Sequence, residues 1–124
     1  MAQQTPGLQE QHAKLAALSS RYIDVPALPW QPTRFPGVQI KVLMEDPETG
    51  LQTVLTKMEP GAVLTDHLHN QIEQSWILEG SLKDHEGEAS VGNFVWRPAG
   101  SRHVASAPNG ALILGFFLEP NTFF

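Results

Sequence analysis

The chain opens in helical rhythm and then settles into strand rhythm. Leu8, Leu15 and Leu18, with Ala13, Ala16 and Ala17 between them, predict a short amphipathic helix ending near Ser19-Ser20. Residues 21–37 carry Pro26, Pro29, Pro32 and Pro36. Proline fixes φ and removes a backbone donor, so this segment is expected to run extended along a sheet edge, anchored by Tyr22, Ile23, Trp30 and Phe35. Beyond it Val38, Ile40, Val42 and Met44 alternate with Gln39 and Lys41, the period of a half-buried strand. Leu51 to Met58 reads as its return.

Each reversal has its own chemistry. Pro36-Gly37 and Pro60-Gly61 fit type II turns, with proline at the second position and glycine taking positive φ at the third. Asp46-Pro47-Glu48-Thr49-Gly50 closes the first hairpin. Ser75 to Leu78 reads as a buried strand closing at Gly80, and Leu82 to Gly87 carries a hairpin turning at Asp84-His85-Glu86-Gly87. Phe94-Val95-Trp96 is a short strand stopped by Pro98-Ala99-Gly100; Arg102 to Ser106 is the next. Pro108-Asn109-Gly110 turns the chain into a last core strand, Ala111 to Leu118. Short strands with turns about every eight to twelve residues imply an all-β sandwich or barrel. The expected division is an N-terminal extension over residues 1–20, partly helical or extended, and a single domain over residues 21–124.

A chain of 124 residues suits one core. Its net charge of −5 and lack of a basic run argue against a nucleic-acid partner, which needs clustered Lys and Arg. Cysteine is absent, which excludes disulfides and thiolate ligands and leaves His, Asp and Glu to hold any metal. Met-Ala-Gln-Gln-Thr-Pro-Gly at the start lacks the charged and apolar regions of a secretory signal. The run Ala111 to Leu118 is too short to span a bilayer. A cytoplasmic location with no membrane partner is therefore expected.

The candidate chemistry sits between Gly61 and His103. His67 and His69 are two residues apart, so an extended strand aims both the same way, and Glu73 follows. Imidazoles and a carboxylate aimed at one point suit a divalent transition ion. His103 offers a third imidazole; the alternative is three ordinary barrel histidines, and Glu73 either ligates or turns away. Asp66 has the opposite parity and is expected at the surface, like His12 and the turn residue His85. Ser75 and Ile77 share parity with Glu73, and Ala105 with His103, so regular strands would line one cavity with them. Phe94, Trp96, Ile113 and Phe117 are further candidates for its walls, with plain core packing as the alternative for each. Arg102 is a candidate contact for a substrate carboxylate or enolate, against a surface role; Arg34 carries the same ambiguity.

These stretches resemble the two cupin motifs. Gly61, His67, His69, Glu73 and Gly80 match every fixed position of G-x5-H-x-H-x3-E-x6-G. Gly92, Pro98, Gly100 and His103 match G-x5-P-x-G-x2-H-x3-N, whose last position is Ala107 here. The resemblance implies a double-stranded β-helix, or jelly roll, with His67, His69, Glu73 and His103 as ligands of one metal. Within the superfamily the chain is similar to small dioxygenases of the acetylacetone and 2,4′-dihydroxyacetophenone type, and to the cupin domain of ChrR-type anti-sigma factors. Shared features are Trp30, Pro36-Gly37-Val38 and Lys41, then Glu59-Pro60-Gly61 and Leu78-Glu79-Gly80. That likeness implies Fe(II), with Zn, Ni or Mn as alternatives, and dioxygenation of a small diketone or hydroxyketone. A non-catalytic metal-dependent sensor or regulatory module is the alternative, and an isomerase or lyase using the metal as Lewis acid is a further one. A homodimer is expected, with the N-terminal segment able to supply an exchanged strand.

Overall fold

The computed structural model describes residues 3–124; Met1 and Ala2, the first residues of the expected extension and of the stretch read for a signal, lie outside the described residues. Ten strands follow in chain order: β1 Gln31–Pro32, β2 Val38–Glu45, β3 Gln52–Met58, β4 Ala62–Leu68, β5 Glu73–Lys83, β6 Glu88–Ser90, β7 Phe94–Arg97, β8 Arg102–Ala107, β9 Ala111–Phe117 and β10 Thr122–Phe123. All pairings are antiparallel, and the strands curl into two sheets that share β5. The first sheet runs β1-β2-β3-β9-β5-β7 and the second β6-β5-β8-β4-β10. This is the jelly roll that the strand spacing and motifs imply.

β5 changes sheets along its length. Its first half pairs β7 and β9; after a register shift between Ile77 and Glu79, Ser81 to Lys83 pair β6, and Lys83 meets β8. Gly80 sits at this crossing with φ +68°, and a Cβ there would collide with the Gly110 carbonyl oxygen. Only glycine lets the two backbones meet there. The core lies between the sheets, with Val38, Met58, Ile77, Leu82, Ala105, Ala107 and Ile113 buried together. Ala107, at the motif position that holds asparagine elsewhere, packs in this core opposite Ala62.

The N-terminal segment is partly helical, but its helix is shorter than the expected one ending near Ser19-Ser20. Among the described residues only Gln9–Ala13 is α-helical, after a 3-10 turn at Pro6–Leu8. Leu15 and Leu18 are exposed, so no apolar surface holds a longer helix together. Gln4 instead bridges Glu45 through paired backbone hydrogen bonds, and buried Thr5 donates its hydroxyl to the Leu43 carbonyl. The proline-dense segment does run along a sheet edge, where β1 pairs β2. Tyr22 is exposed rather than an anchor; buried Leu28 takes that role. Among the described residues no helix is long and apolar enough to cross a membrane.

Candidate metal centre

Parity alone does not aim the histidines. Ala62 faces the core, and strict alternation from there would send residues 67 and 69 outward. The pairing of β4 with β8 shifts between Leu64 and His67: Leu64 opposes Ala105 and His67 opposes His103, so β4 carries one extra residue. This bulge at Thr65-Asp66 reverses the parity and turns His67 and His69 inward. His69 lies just past the strand, fixed by backbone hydrogen bonds with Ser101 and Gly100. His103 stands on β8 directly across from His67.

All three imidazoles are buried, and one ring nitrogen from each lies within 4.8 Å of the others. Each Nδ1 is engaged from outside the cluster. His67 Nδ1 donates to the Thr65 carbonyl at 2.7 Å. His69 Nδ1 meets the Ser101 carbonyl at 2.9 Å and Oγ at 2.8 Å; that hydroxyl gives its own proton to the Pro98 carbonyl, so it accepts from His69. His103 Nδ1 donates to Asp84 Oδ2 at 2.6 Å. The Nε2 lone pairs are left free, the arrangement in which outer partners orient metal ligands. Burial lowers the pKa values of His67 and His103, against the opposing pull of the Thr65 carbonyl and of Asp84 respectively, and so favours the neutral, ligating form.

Glu73 stands beside one imidazole. Its Oε2 lies 2.8 Å from His69 Nε2, yet that buried nitrogen makes no hydrogen bond of acceptable geometry. Ligand atoms of one ion, each about 2.1 Å from it and at right angles, stand about 3 Å apart. An orphaned buried nitrogen next to a carboxylate at that spacing fits a metal ion. Burial acts to raise the Glu73 pKa; the His69 contact and a 3.4 Å hydrogen bond from Asn121 Nδ2 outweigh it and keep the carboxyl below its ordinary range. The donor set is three neutral nitrogens with one oxygen beside them, suited to Fe, Ni, Zn or Mn.

Asp84 gave no sign of this role in the sequence, where it reads only as a turn residue. Its Oδ1 accepts the Glu86 and Gly87 amides, which shapes the turn. Its Oδ2 accepts from His103 and, at 2.7 Å, from Arg97 Nη1. Burial pushes its pKa up, and His103, the Glu86 amide, Arg97 and the Gly87 amide hold it down at about 2. Phe123 was likewise hidden in what looks like a tail: β10 pairs it with His67, and their rings lie 4.7 Å apart.

A cavity of about 240 Å³ opens beside the cluster. Ser75, Ile113 and Phe117 line it, together with Glu73, Phe123 and Asn121. Ile77 and Ala105 lie in the packed core instead. Phe94 and Trp96, expected in the walls, point out to solvent. In β7 they oppose Trp76 and Gln74, which face outward on β5, so Val95 takes the inward side. Arg102 also faces out, paired with Asp66 Oδ2 at 2.6 Å and 4.0 Å from the Phe124 ring centroid. The Arg102 partnership holds the Asp66 pKa below its ordinary value. Arg34 stacks on Phe35 and Phe123.

The sequence model of the ChrR cupin-like domain family matches residues 18–120. Among solved structures, an acetylacetone dioxygenase from Acinetobacter johnsonii shares 20% identity with a TM-score of 0.74, over 90% of this chain and 80% of that one. KdgF from a Halomonas species shares 28% identity with a TM-score of 0.63, over 82% of this chain and 96% of that one. The Rhodobacter sphaeroides complex of SigE with the anti-sigma ChrR shares 18% identity with a TM-score of 0.64, over 75% of this chain and 50% of that one. No curated protein matches the chain in sequence.

Proposed function

The chain belongs to the ChrR cupin-like domain family, and from that premise we propose that it is an Fe(II)-dependent dioxygenase acting on a small diketone or hydroxyketone. One observation carries the reading: the cavity of about 240 Å³ shares Glu73 with the histidine cluster. A module whose metal only holds the barrel together needs no empty volume, whereas this barrel keeps room for a small organic molecule. Val54, Leu64, Ile113, Phe35 and Phe117 make apolar walls that exclude water. Ser75, Thr56 and Asn121 offer the hydrogen bonds that would orient a carbonyl or hydroxyl. His67, His69 and His103, with Glu73, would hold the ion, and Phe123 would cover His67 from the cavity side. A ferrous ion bound there supplies Lewis acidity towards a carbonyl oxygen and a redox partner for O2.

A second reading is a metal-dependent regulatory module, favoured by the family description and by the fold shared with ChrR bound to SigE. Elemental analysis separates the two, on protein purified without chelator or metal-affinity tag and beside a His103→Ala control. About one Fe per chain, lost in the control, with substrate-dependent O2 uptake on diketones or hydroxyacetophenones, supports the dioxygenase. Zn in place of Fe and no O2 uptake after Fe(II) loading favours the regulatory module. No metal after reconstitution with Fe(II), Mn, Ni or Zn overturns both.

A further inference from the structure

The outer face of the first sheet is only half covered. Over β2 and β3 lies the chain's own leader: Leu28 is buried, the Trp30 ring has Lys41 and Lys57 at 4.7 and 5.8 Å, and Lys41 Nζ donates to the Val25 carbonyl at 2.9 Å. Across β7, β5 and β9 that cover ends. Two cross-strand rows are open there, Phe94–Trp76–Leu114 and Trp96–Gln74–Phe116. Directly opposed residues share a face, so these rows form one block of large apolar side chains around a single glutamine.

The block has the area of an interface core. Trp96 is 56% exposed, Trp76 47%, Phe94 45% and Phe116 41%. Taking ~200 Å² for each fully exposed aromatic, these rings leave roughly 400 Å² of apolar surface in water. A standard interface takes about 800 Å² from each partner, a little over half of it apolar. The aromatics alone supply most of that share.

We propose that a second copy of this chain docks on this face, about a two-fold axis running along β5. Such an axis exchanges β7 with β9. It lays Phe94 and Trp96 of one copy over Leu114 and Phe116 of the other. It also sets the two Gln74 amides against each other, where each offers the donor and the acceptor that the other needs. The block contains no charged side chain, so a chain of net charge −5 meets its like without burying a charge. The expected strand exchange is not needed, because Gln4 already pairs with Glu45 of its own chain.

Light scattering on the full chain tests the proposal, with circular dichroism as the check on folding. The wild type is expected at twice the chain mass, and Trp96→Glu at a single chain mass. Gln74→Glu is the sharper variant: it opposes two carboxylates only if the axis runs along β5, and should weaken association on the order of 100-fold or more. Leu18→Glu, fully exposed elsewhere, should keep the dimer. A single-chain mass for the wild type at ~100 µM overturns the proposal. So does a folded Trp96→Glu or Gln74→Glu variant that stays dimeric.

Discussion

Replacing Asp84 by asparagine keeps the shape of the side chain and removes its charge. The carboxylate is 1% exposed, and its Oδ2 serves two donors at once, His103 Nδ1 at 2.6 Å and Arg97 Nη1 at 2.7 Å. An amide oxygen in the Oδ2 place can accept from both, but the NH2 then faces the Glu86 and Gly87 amides; flipped, it faces the His103 and Arg97 donors instead. His103 loses both its charged acceptor and part of its fixed orientation. Removing such an outer partner weakens metal affinity by about 10–100-fold, or ~1.4–2.8 kcal/mol. Competition between the protein and a chromophoric chelator for Zn(II) or Co(II) at neutral pH reads this directly. Ser101→Ala is the matched control. It removes one acceptor from His69 Nδ1 but leaves the Ser101 carbonyl at 2.9 Å, so affinity should fall only a few-fold, at about the level of one neutral hydrogen bond. Folded Asp84→Asn protein that binds metal within about twofold of wild type would refute the positioning argument. Equal losses in the two variants would do the same.

The fold makes its own predictions. Gly80→Ala places a Cβ against the Gly110 carbonyl at φ +68°, and should cost about 2–5 kcal/mol in urea unfolding; a loss below 1 kcal/mol would mean that the crossing of β5 is looser than described. Ile77→Ala empties a fully buried core position and should cost about 2–5 kcal/mol by the same measurement, leaving metal stoichiometry unchanged. Asp46 has a pKa below its ordinary 3.8, because hydrogen bonds from Gln3, the Glu48 amide and Thr49 outweigh the upward effect of burial. A lowered folded value means that this carboxylate stabilises the fold above pH 3.8 and that the contribution fades as pH falls through the folded value. The stability gap between wild type and Asp46→Asn should therefore narrow on acidification, and a gap that stays constant from neutral to acid pH would contradict it.

Much of the architecture could be read from residue order because its determinants are local. The glycines at 37, 50, 61 and 110 all take positive φ where the turn chemistry requires it. Alternation marked β2 and β3, and the motif spacing pointed to the imidazoles that the structure brings together. Longer-range determinants stayed hidden. Phe94-Val95-Trp96 is apolar at every position, so nothing local says which side faces inward; pairing with Trp76 and Gln74 decides it. Asp84 resembles any Asx-turn aspartate until β5 lays it beside His103. The helix expected to run to about Ser19 stops at Ala13, because Leu15 and Leu18 have nothing to pack against. Arg102 chose Asp66 and the Phe124 ring because β8 turns it away from the cavity.

The bulge at Thr65-Asp66 also works as a reading frame. Every residue before it and every residue after it is assigned to a side of the sheet by counting in twos, and the extra residue resets the count. Deleting one of the two would leave the composition of the donor set untouched, with every imidazole still present. His67 would then stand two residues from Leu64, so plain alternation would keep it and His69 on the inward side and His67 opposite His103. With both residues kept but no bulge, Asp66 would oppose His103 and the imidazoles would turn to the face where Val63 now stands. In a lineage of such chains, this one codon can be gained or lost without scattering the three imidazoles, so long as the bulge comes and goes with it.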